Sequence, residues 1–298
     1  MRSHRPPTPR PSSPALRRRG ATVAGVLGAV IGLLLTAVGT ATAAPPPPRE
    51  PIEPGNAWMG AGYRLHEGAG RGTGTSLEPL DTSGVQGIDV SHWQGTINWT
   101  SVRNAGIQFA WIKATEGTSY KDPMFNTNYP AAYHAGVIRG AYHFALPNVS
   151  SGATQAGYFA SNGGAWSRDN LTLPGVLDIE HNPYGAMCYG LSTTQMRSWI
   201  NDFYNTYKAR TGRDVVIYTT ASWWNTCTGS WTGMSGKSPL WIAHWTTNSS
   251  PTLPSGFPTW TVWQYTSTGT VSGVSGNVDR NKFNGSRDRL LALANNTA

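Results

Sequence analysis

Two carboxylates separated by a single residue, Asp178 and Glu180, close the stretch Leu173-Pro174-Gly175-Val176-Leu177-Asp178-Ile179-Glu180. A short branched run opened by Pro and Gly reads as a buried strand. Side chains alternate along a strand, so Asp178 and Glu180 face one way and Ile179 the other, with the acids' Cα atoms about 6.6 Å apart. Two like charges in a buried place cost several kcal/mol unless something pairs with them or one keeps its proton. One acid held protonated beside one held ionised is the arrangement that proton transfer plus charge stabilisation requires. A lone D-x-E is also what a strand running out into solvent carries, so the elements around it have to decide.

Charge and cysteine usage narrow the class of protein. The 298 residues carry a formal charge of +8. Six of the 23 basic side chains (Arg2, Arg5, Arg10, Arg17, Arg18, Arg19) fall before residue 20, and no acid precedes Glu50; residues 44–298 therefore hold 17 basic against 15 acidic side chains. Near neutrality argues against a phosphate-backbone partner, so no nucleic acid is expected. The basic start, the apolar run Val23–Val38 and the small-residue site Ala41-Thr42-Ala43 read as an export signal over residues 1–43, cleaved before Ala44. A secreted, extracellular protein with no stable membrane association after cleavage follows. In an oxidising compartment the two cysteines, Cys188 and Cys227, are expected to form a disulfide. Closing that loop would stabilise by about 4 kcal/mol in the chain-entropy model. Two cysteines and seven scattered histidines show no metal-ligand spacing, so neither a metal nor a cofactor is expected.

The elements that must position the acids come next. Residues 44–84 are Pro- and Gly-rich and read either as a tether or as an arm laid on the domain that follows. From Val85 the texture changes, and residues 85–298 form the catalytic domain. Strands are expected at Gln86–Ser91, Phe109–Ala114, Val137–Phe144, Gly175–Glu180 and Asp214–Thr219. Helices are expected at Trp99–Asn104, Tyr129–His134, Ala153–Ser161 and, most clearly, Thr193–Arg210, where Met196, Trp199, Ile200, Phe203 and Tyr207 recur every three or four residues. Later strands at Leu240–Ala243, Trp260–Tyr265 and Asn277–Asp279 have no convincing helices between them, and Arg287–Ala294 reads as a terminal helix. Alternating strands and helices indicate an α/β domain with a parallel sheet. About eight strands suggest an irregular β/α barrel whose helices weaken in the last third, with the chemistry in a groove at the C-terminal strand ends. Asp89, Asp178, Glu180 and Asp279 all fall at such ends, and their convergence favours a functional pair.

Six motifs in order then resemble one family. They are Gly87-Ile88-Asp89-Val90-Ser91 with Gln94-Gly95, Lys113-Ala114-Thr115-Glu116-Gly117, Gly140-Ala141-Tyr142-His143-Phe144, Leu177-Asp178-Ile179-Glu180, Trp263-Gln264-Tyr265 and Val278-Asp279. They resemble the glycoside hydrolase family 25 lysozymes, the N-acetylmuramidases of the Chalaropsis type. The resemblance implies cleavage of the β-1,4 bond between N-acetylmuramic acid and N-acetylglucosamine, with peptidoglycan glycan strands as partner. It makes Glu180 the general acid/base and Asp178 the second carboxylate, with Asp89 and Asp279 lining the same cavity. Tyr142 and Tyr218 match tyrosines near the reacting sugar. Two acids so close on one strand lie on the same side of the sugar, which favours attack by the sugar's own 2-acetamido oxygen over an enzyme nucleophile.

The remaining candidates concern substrate binding. Trp93, Trp241, Trp245 and Trp263 stand near strand ends, where a ring can stack on a sugar face or simply fill core, whereas Trp111, Trp199 and Trp260 read as core. Gln264 joins the sugar-contacting set through its motif. Lys113 either pairs with an acid or snorkels at the surface. His92, His143 and His244 read as structural or groove residues. A chitinase-like β-N-acetylhexosaminide hydrolase also ends a barrel strand with D-x-E, but its upstream acids are replaced here by Val176 and Leu173. An inactive glycan-binding module would keep the aromatics and lose the acids, and all four acids are present. A monomer is expected.

Overall fold

The computed structural model describes residues 52–67 and 84–297. The expected export signal and most of the proline-dense stretch lie outside the described residues, which all belong to one compact unit, Arg49–Ala298. In chain order the elements are α1 (Ala61–His66), β1 (Val85–Val90), α2 (Trp99–Asn104), β2 (Phe109–Glu116), β3 (Tyr120–Lys121), α3 (Phe125–His134), β4 (Ile138–Phe144) and α4 (Gly152–Phe159). They continue with β5 (Val176–Asp178), α5 (Thr193–Thr211), β6 (Val216–Thr219), α6 (Ala221–Thr228), β7 (Leu240–Ala243), β8 (Val262–Gly269), β9 (Val278–Phe283) and α7 (Arg287–Asn295).

Eight strands close a barrel in the order β1-β9-β8-β7-β6-β5-β4-β2, with β2 pairing back onto β1, and β3 adds an antiparallel hairpin to the end of β2. Neighbours are parallel from β1 through β2, β4, β5, β6 and β7 to β8. The expected irregularity in the last third takes a definite form: β9 runs antiparallel to both β8 and β1. Because it returns without a crossover helix, no helix is needed there.

Strands of a barrel covered by helices are buried on both faces, and every residue of β2 and β4 is buried. Inward-facing Trp111, Tyr142, Val176, Tyr218, Trp241 and Val262 fill the interior. Gly140 makes room for them: a Cβ there would sit 2.3 Å from the Trp111 indole nitrogen. Outside the wall, α5 lays Met196, Ile200, Phe203 and Tyr207 against Leu177, Ile179 and Ile217. It starts at the expected Thr193 and runs one residue past the expected Arg210: Ser192 and Gln195 form a reciprocal capping box and Gly212 ends it at φ 72°. At the opposite mouth Leu290 and Ala294 of α7 close the interior.

Helices α1 and α6, the short β3 and most of β9 escape the sequence pattern. Apart from Ala221, helix α6 is made of Trp, Thr, Asn, Ser and Cys, poor helix formers, and forms because Trp223, Trp224 and Cys227 are buried while Thr220 caps the Trp223 N–H. Strand β9 extends well past Asp279; its alternation is Asp279, Asn281 and Phe283 inward against Arg280 and Lys282, a polar pattern that hides a strand. The Cys188–Cys227 disulfide, with Cα atoms 5.3 Å apart, ties the loop after β5 to α6. Among the described residues no helix is long and apolar enough to cross a membrane.

Candidate active site

The four acids meet at the mouth formed by the C-terminal ends of the parallel strands. Asp89 lies near the end of β1, Asp178 ends β5, and Glu180 follows two residues on. Asp279 does not end a strand: it begins β9, and the antiparallel direction of β9 returns it to the same mouth, directly opposite Asp89 in the register. Asp89, Asp178 and Glu180 are 0–1% exposed and Asp279 is 6% exposed, so desolvation dominates their chemistry. Ile179 points away into the outer core, so the strand alternation expected for the D-x-E holds past the end of β5.

Each acid is held differently. The Asp89 Oδ2 accepts from Gln264 Nε2 at 3.0 Å and Asn281 Nδ2 at 2.8 Å. Burial raises its carboxyl to about 7 against these hydrogen bonds. Gln264 is itself oriented, because its Oε1 accepts from Tyr218 Oη at 2.7 Å and Trp245 Nε1 at 2.9 Å. Glu180 is raised to about 8, first by burial, with backbone N–H donors pulling the other way. Those donors are Gly60 N at 2.7 Å to Oε1 and Tyr63 N at 3.0 Å to Oε2. Asp178 is raised well above the carboxylate range by burial and then by the charge of Glu180, while Lys113 opposes the shift. Both of its carboxylate oxygens are buried with no hydrogen-bond partner among the described residues. Buried polar atoms are normally paired, so this pair is poised for a donor arriving with a ligand.

Other expected residues divide clearly. Tyr142, Tyr218, Gln264 and Trp245 stand with the acids, and Trp93 lies at the rim with 54% of its surface exposed. Lys113 is fully buried and forms an ion pair with Glu116 at 2.6 Å, which settles its two readings in favour of pairing. Trp263 is a correction. Gln264 points inward, so its neighbour Trp263 points outward, where its ring is 1% exposed among helix-side residues and its Nε1 donates to His244 O at 2.8 Å. It cannot meet a sugar in the groove. Trp241 is likewise interior filler, bonded to Asn281 Oδ1. Burial pulls His143 down to about 4, and its ring nitrogens meet Thr115 and Gln155, a structural histidine. Among the described residues no cluster of His, Cys, Asp and Glu could hold a metal ion.

Three polar residues at the mouth went unread. Glu116 lay in a quoted motif at the end of β2 and could have been read as the partner of Lys113. Asn281 lay in a strand taken as too short. Tyr184, whose Oη donates to Glu116 Oε1 at 2.6 Å, stands in a loop with no pattern. The arm was left undecided; Ile52–Glu67 is packed against the mouth, with Ala57, Met59, Ala61 and Tyr63 buried.

A closed barrel carrying a buried carboxylate pair at its mouth, both acids raised by burial and one of them unpartnered, is an arrangement compatible with glycosidic-bond hydrolysis. The family model for glycosyl hydrolases family 25 matches residues 88–274. Lysozyme M1 of Streptomyces globisporus is 69% identical over 294 residues, covering 97% of this chain and 100% of that protein. An N,O-diacetylmuramidase of a Chalaropsis species is 42% identical over 213 residues, covering 70% of this chain and 99% of that protein. The crystal structure of a bacterial lysozyme from Streptomyces coelicolor matches at 78% identity with a TM-score of 0.72, covering 73% of this chain and 100% of that one. The chain belongs to glycosyl hydrolases family 25.

Proposed function

We propose that the protein hydrolyses the β-1,4 bond between N-acetylmuramic acid and N-acetylglucosamine in peptidoglycan, retaining configuration through the substrate's own acetamido group. Family membership and relatives named as lysozyme and diacetylmuramidase support the reaction class. One observation carries the mechanism: Asp178 offers two buried, unpartnered carboxylate oxygens beside Glu180. Glu180, whose carboxyl is raised by burial, gives its proton to the leaving oxygen as the glycosidic bond breaks. The 2-acetamido carbonyl oxygen bonds to the anomeric carbon. The amide N–H and the forming oxazolinium supply Asp178 with a donor for its unpartnered oxygens and with positive charge, which favours its carboxylate form and lets it offset that charge. Water then attacks the anomeric carbon, loses a proton to Glu180 and opens the ring, which restores the starting acid. Asp89, fixed by Gln264 and Asn281, and Asp279 opposite it line the same cavity. Trp93 and Trp245 offer aromatic faces along the groove, with Tyr142 and Tyr218 beneath the reacting sugar. The setting is extracellular, after removal of residues 1–43, and the working form is a monomer.

Nothing observed favours the chitinase-like or the glycan-binding reading. Purified walls with N-acetylated muramic acid should be cleared, releasing fragments with reducing-end muramic acid. Walls whose muramic acid lacks the N-acetyl group should resist. Mass spectrometry of enzyme quenched with a slow activated substrate decides the nucleophile, and a glycosylated peptide containing Asp178 overturns the acetamido role.

A further inference from the structure

The segment Ile52–Glu67 occupies the place a glycan would need. Its backbone meets the proposed acid on both oxygens, through the Gly60 and Tyr63 N–H groups. Upstream, Lys113 Nζ donates to the Gly55 and Ala57 carbonyls, the Gly55 N–H donates to Glu116, and Ala57 N–H donates to Tyr184 Oη. Trp93 Nε1 donates to Asn56 O, and the Trp93 ring stands edge-on to Trp58 with centroids 6.0 Å apart. Tyr63 packs on Trp245 at 4.6 Å between ring centroids and accepts the Trp245 N–H. Downstream, Glu67 accepts from Thr220 at 2.6 Å and meets His181 Nε2 at 2.8 Å. The charges also match, because Arg64 offsets the buried Asp279. Of the two aromatic residues proposed to face sugars, Trp245 is therefore covered, while Trp93 is engaged by Asn56 and Trp58 and keeps 54% of its surface exposed.

What remains open lies beside the segment and is walled by it. A cavity of about 250 Å³ is bounded by Trp58, Arg64, Trp93 and Asp279, and another of about 350 Å³ by Tyr63, Glu67, Thr220 and His244. The fit of the segment is close. A Cβ on Gly62 would fall 2.0 Å from His181 O, and a Cβ on Gly60 would fall 2.8 Å from the Trp245 ring, at a φ of 89° that disfavours any side chain. Gly60 and Gly62 let backbone N–H groups reach a carboxylate that is otherwise accessible only from the groove.

We propose that the groove is a binding site for the chain's own segment Ile52–Glu67, so that the exported protein is latent until that segment is severed from the barrel. This rests on the muramidase reading of the same site. While joined to β1 by residues 68–84, the segment competes with glycan at an effective concentration on the order of millimolar. Once the connection is cut, the segment dissociates on dilution and Glu180 is freed.

The test keeps the barrel as it folds in the whole chain. A recognition sequence for a site-specific protease replaces residues 72–78 of the secreted protein, and wall clearing is followed before and after cutting. The proposal expects a rise of about tenfold or more on cutting and dilution, and reversal by a synthetic peptide of residues 52–67. In the uncut chain Gly62→Leu and Tyr63→Ala should raise clearing without a cut, since each removes part of the fit and lies outside the barrel. Calorimetry of the peptide against the cut, separated barrel reports binding independently of hydrolysis. Equal clearing by cut and uncut protein, or a peptide that does not bind, overturns latency and leaves muramidase activity standing. Peptide binding with no clearing by any form overturns the muramidase reading instead.

Discussion

The barrel's outer layer and its catalytic mouth are built from the same strands on opposite principles. Between β5 and α5, Leu177, Ile179, Ile200 and Phe203 are fully buried hydrocarbon, and the aromatic rings of Phe159, Phe203 and Tyr207 stack in series. One residue away on β5, Asp178 is equally buried and carries two unpartnered oxygens. A strand's alternation permits this, because the residues that hold the wall together never face those that do chemistry. Stability is accumulated outside, and the mouth carries four desolvated acids that weaken the fold. Changes on the two sides of the wall should therefore separate activity from stability.

The largest separation is expected at Glu180. Glu180→Gln keeps the shape and accepts no proton from water, and loss of a general acid/base typically costs 10²–10⁴-fold or more. Wall clearing should fall by that factor while the thermal midpoint stays level or rises, because a buried ionisable group is replaced by a neutral amide. Clearing near the wild-type rate, measured on protein freed of Ile52–Glu67, would move the acid role to Asp89 or Asp279.

Next is the outer wall, at Phe203. Truncation of a fully buried aromatic costs about 3–5 kcal/mol. Phe203→Ala should shift the urea midpoint accordingly, with the m-value and the activity per folded molecule unchanged. A comparable loss of activity at low temperature, where the variant is folded, would show that the wall and the mouth are coupled.

How much of this was readable follows the same division. The outer layer was legible because α5 repeats its apolar residues every three or four positions and marks both ends with Ser192 and Gly212. The acids were legible because Asp178 and Glu180 stand on one face of a strand flanked by breakers. The parts that were missed are set by distant partners. Trp263 looked like a sugar platform until the inward direction of Gln264 assigned it to the other face. Helix α6 owes its form to burial of tryptophans that have no helical preference of their own. The segment Ile52–Glu67 has no periodicity, and its conformation is dictated by Glu180, more than a hundred residues away. Gly60 and Gly62 stand there among Trp58, Met59 and Tyr63, a composition that fits a tether as well as an arm.

The smallest effect expected is the pH dependence of stability. Glu180 is raised from 4.5 to about 8 and Asp89 from 3.8 to about 7, so between those limits the folded protein binds more protons than the unfolded chain. Their contribution is complete below the unfolded values and is lost as pH rises through the folded ones. His143 acts in the opposite direction over a lower range. Its folded value is about 4 against 6.5, so the folded state binds fewer protons there and stability rises with pH up to about 6.5. Below 6.5 the histidine offsets part of the acids' trend, one proton against two, and above it only the acids operate. From pH 6.5 to 8 the free energy of unfolding should decline by on the order of 1 kcal/mol per pH unit, the limit for one proton being about 1.4. Urea unfolding at half-unit steps checks the slope. Glu180→Gln should reduce it, most of all toward pH 8, and leave the share of Asp89, whereas Phe203→Ala should lower the whole curve and leave the slope as it was. A slope left unchanged by Glu180→Gln would place the excess protons on Asp89, Asp178 and Asp279 and not on the acid that faces the segment.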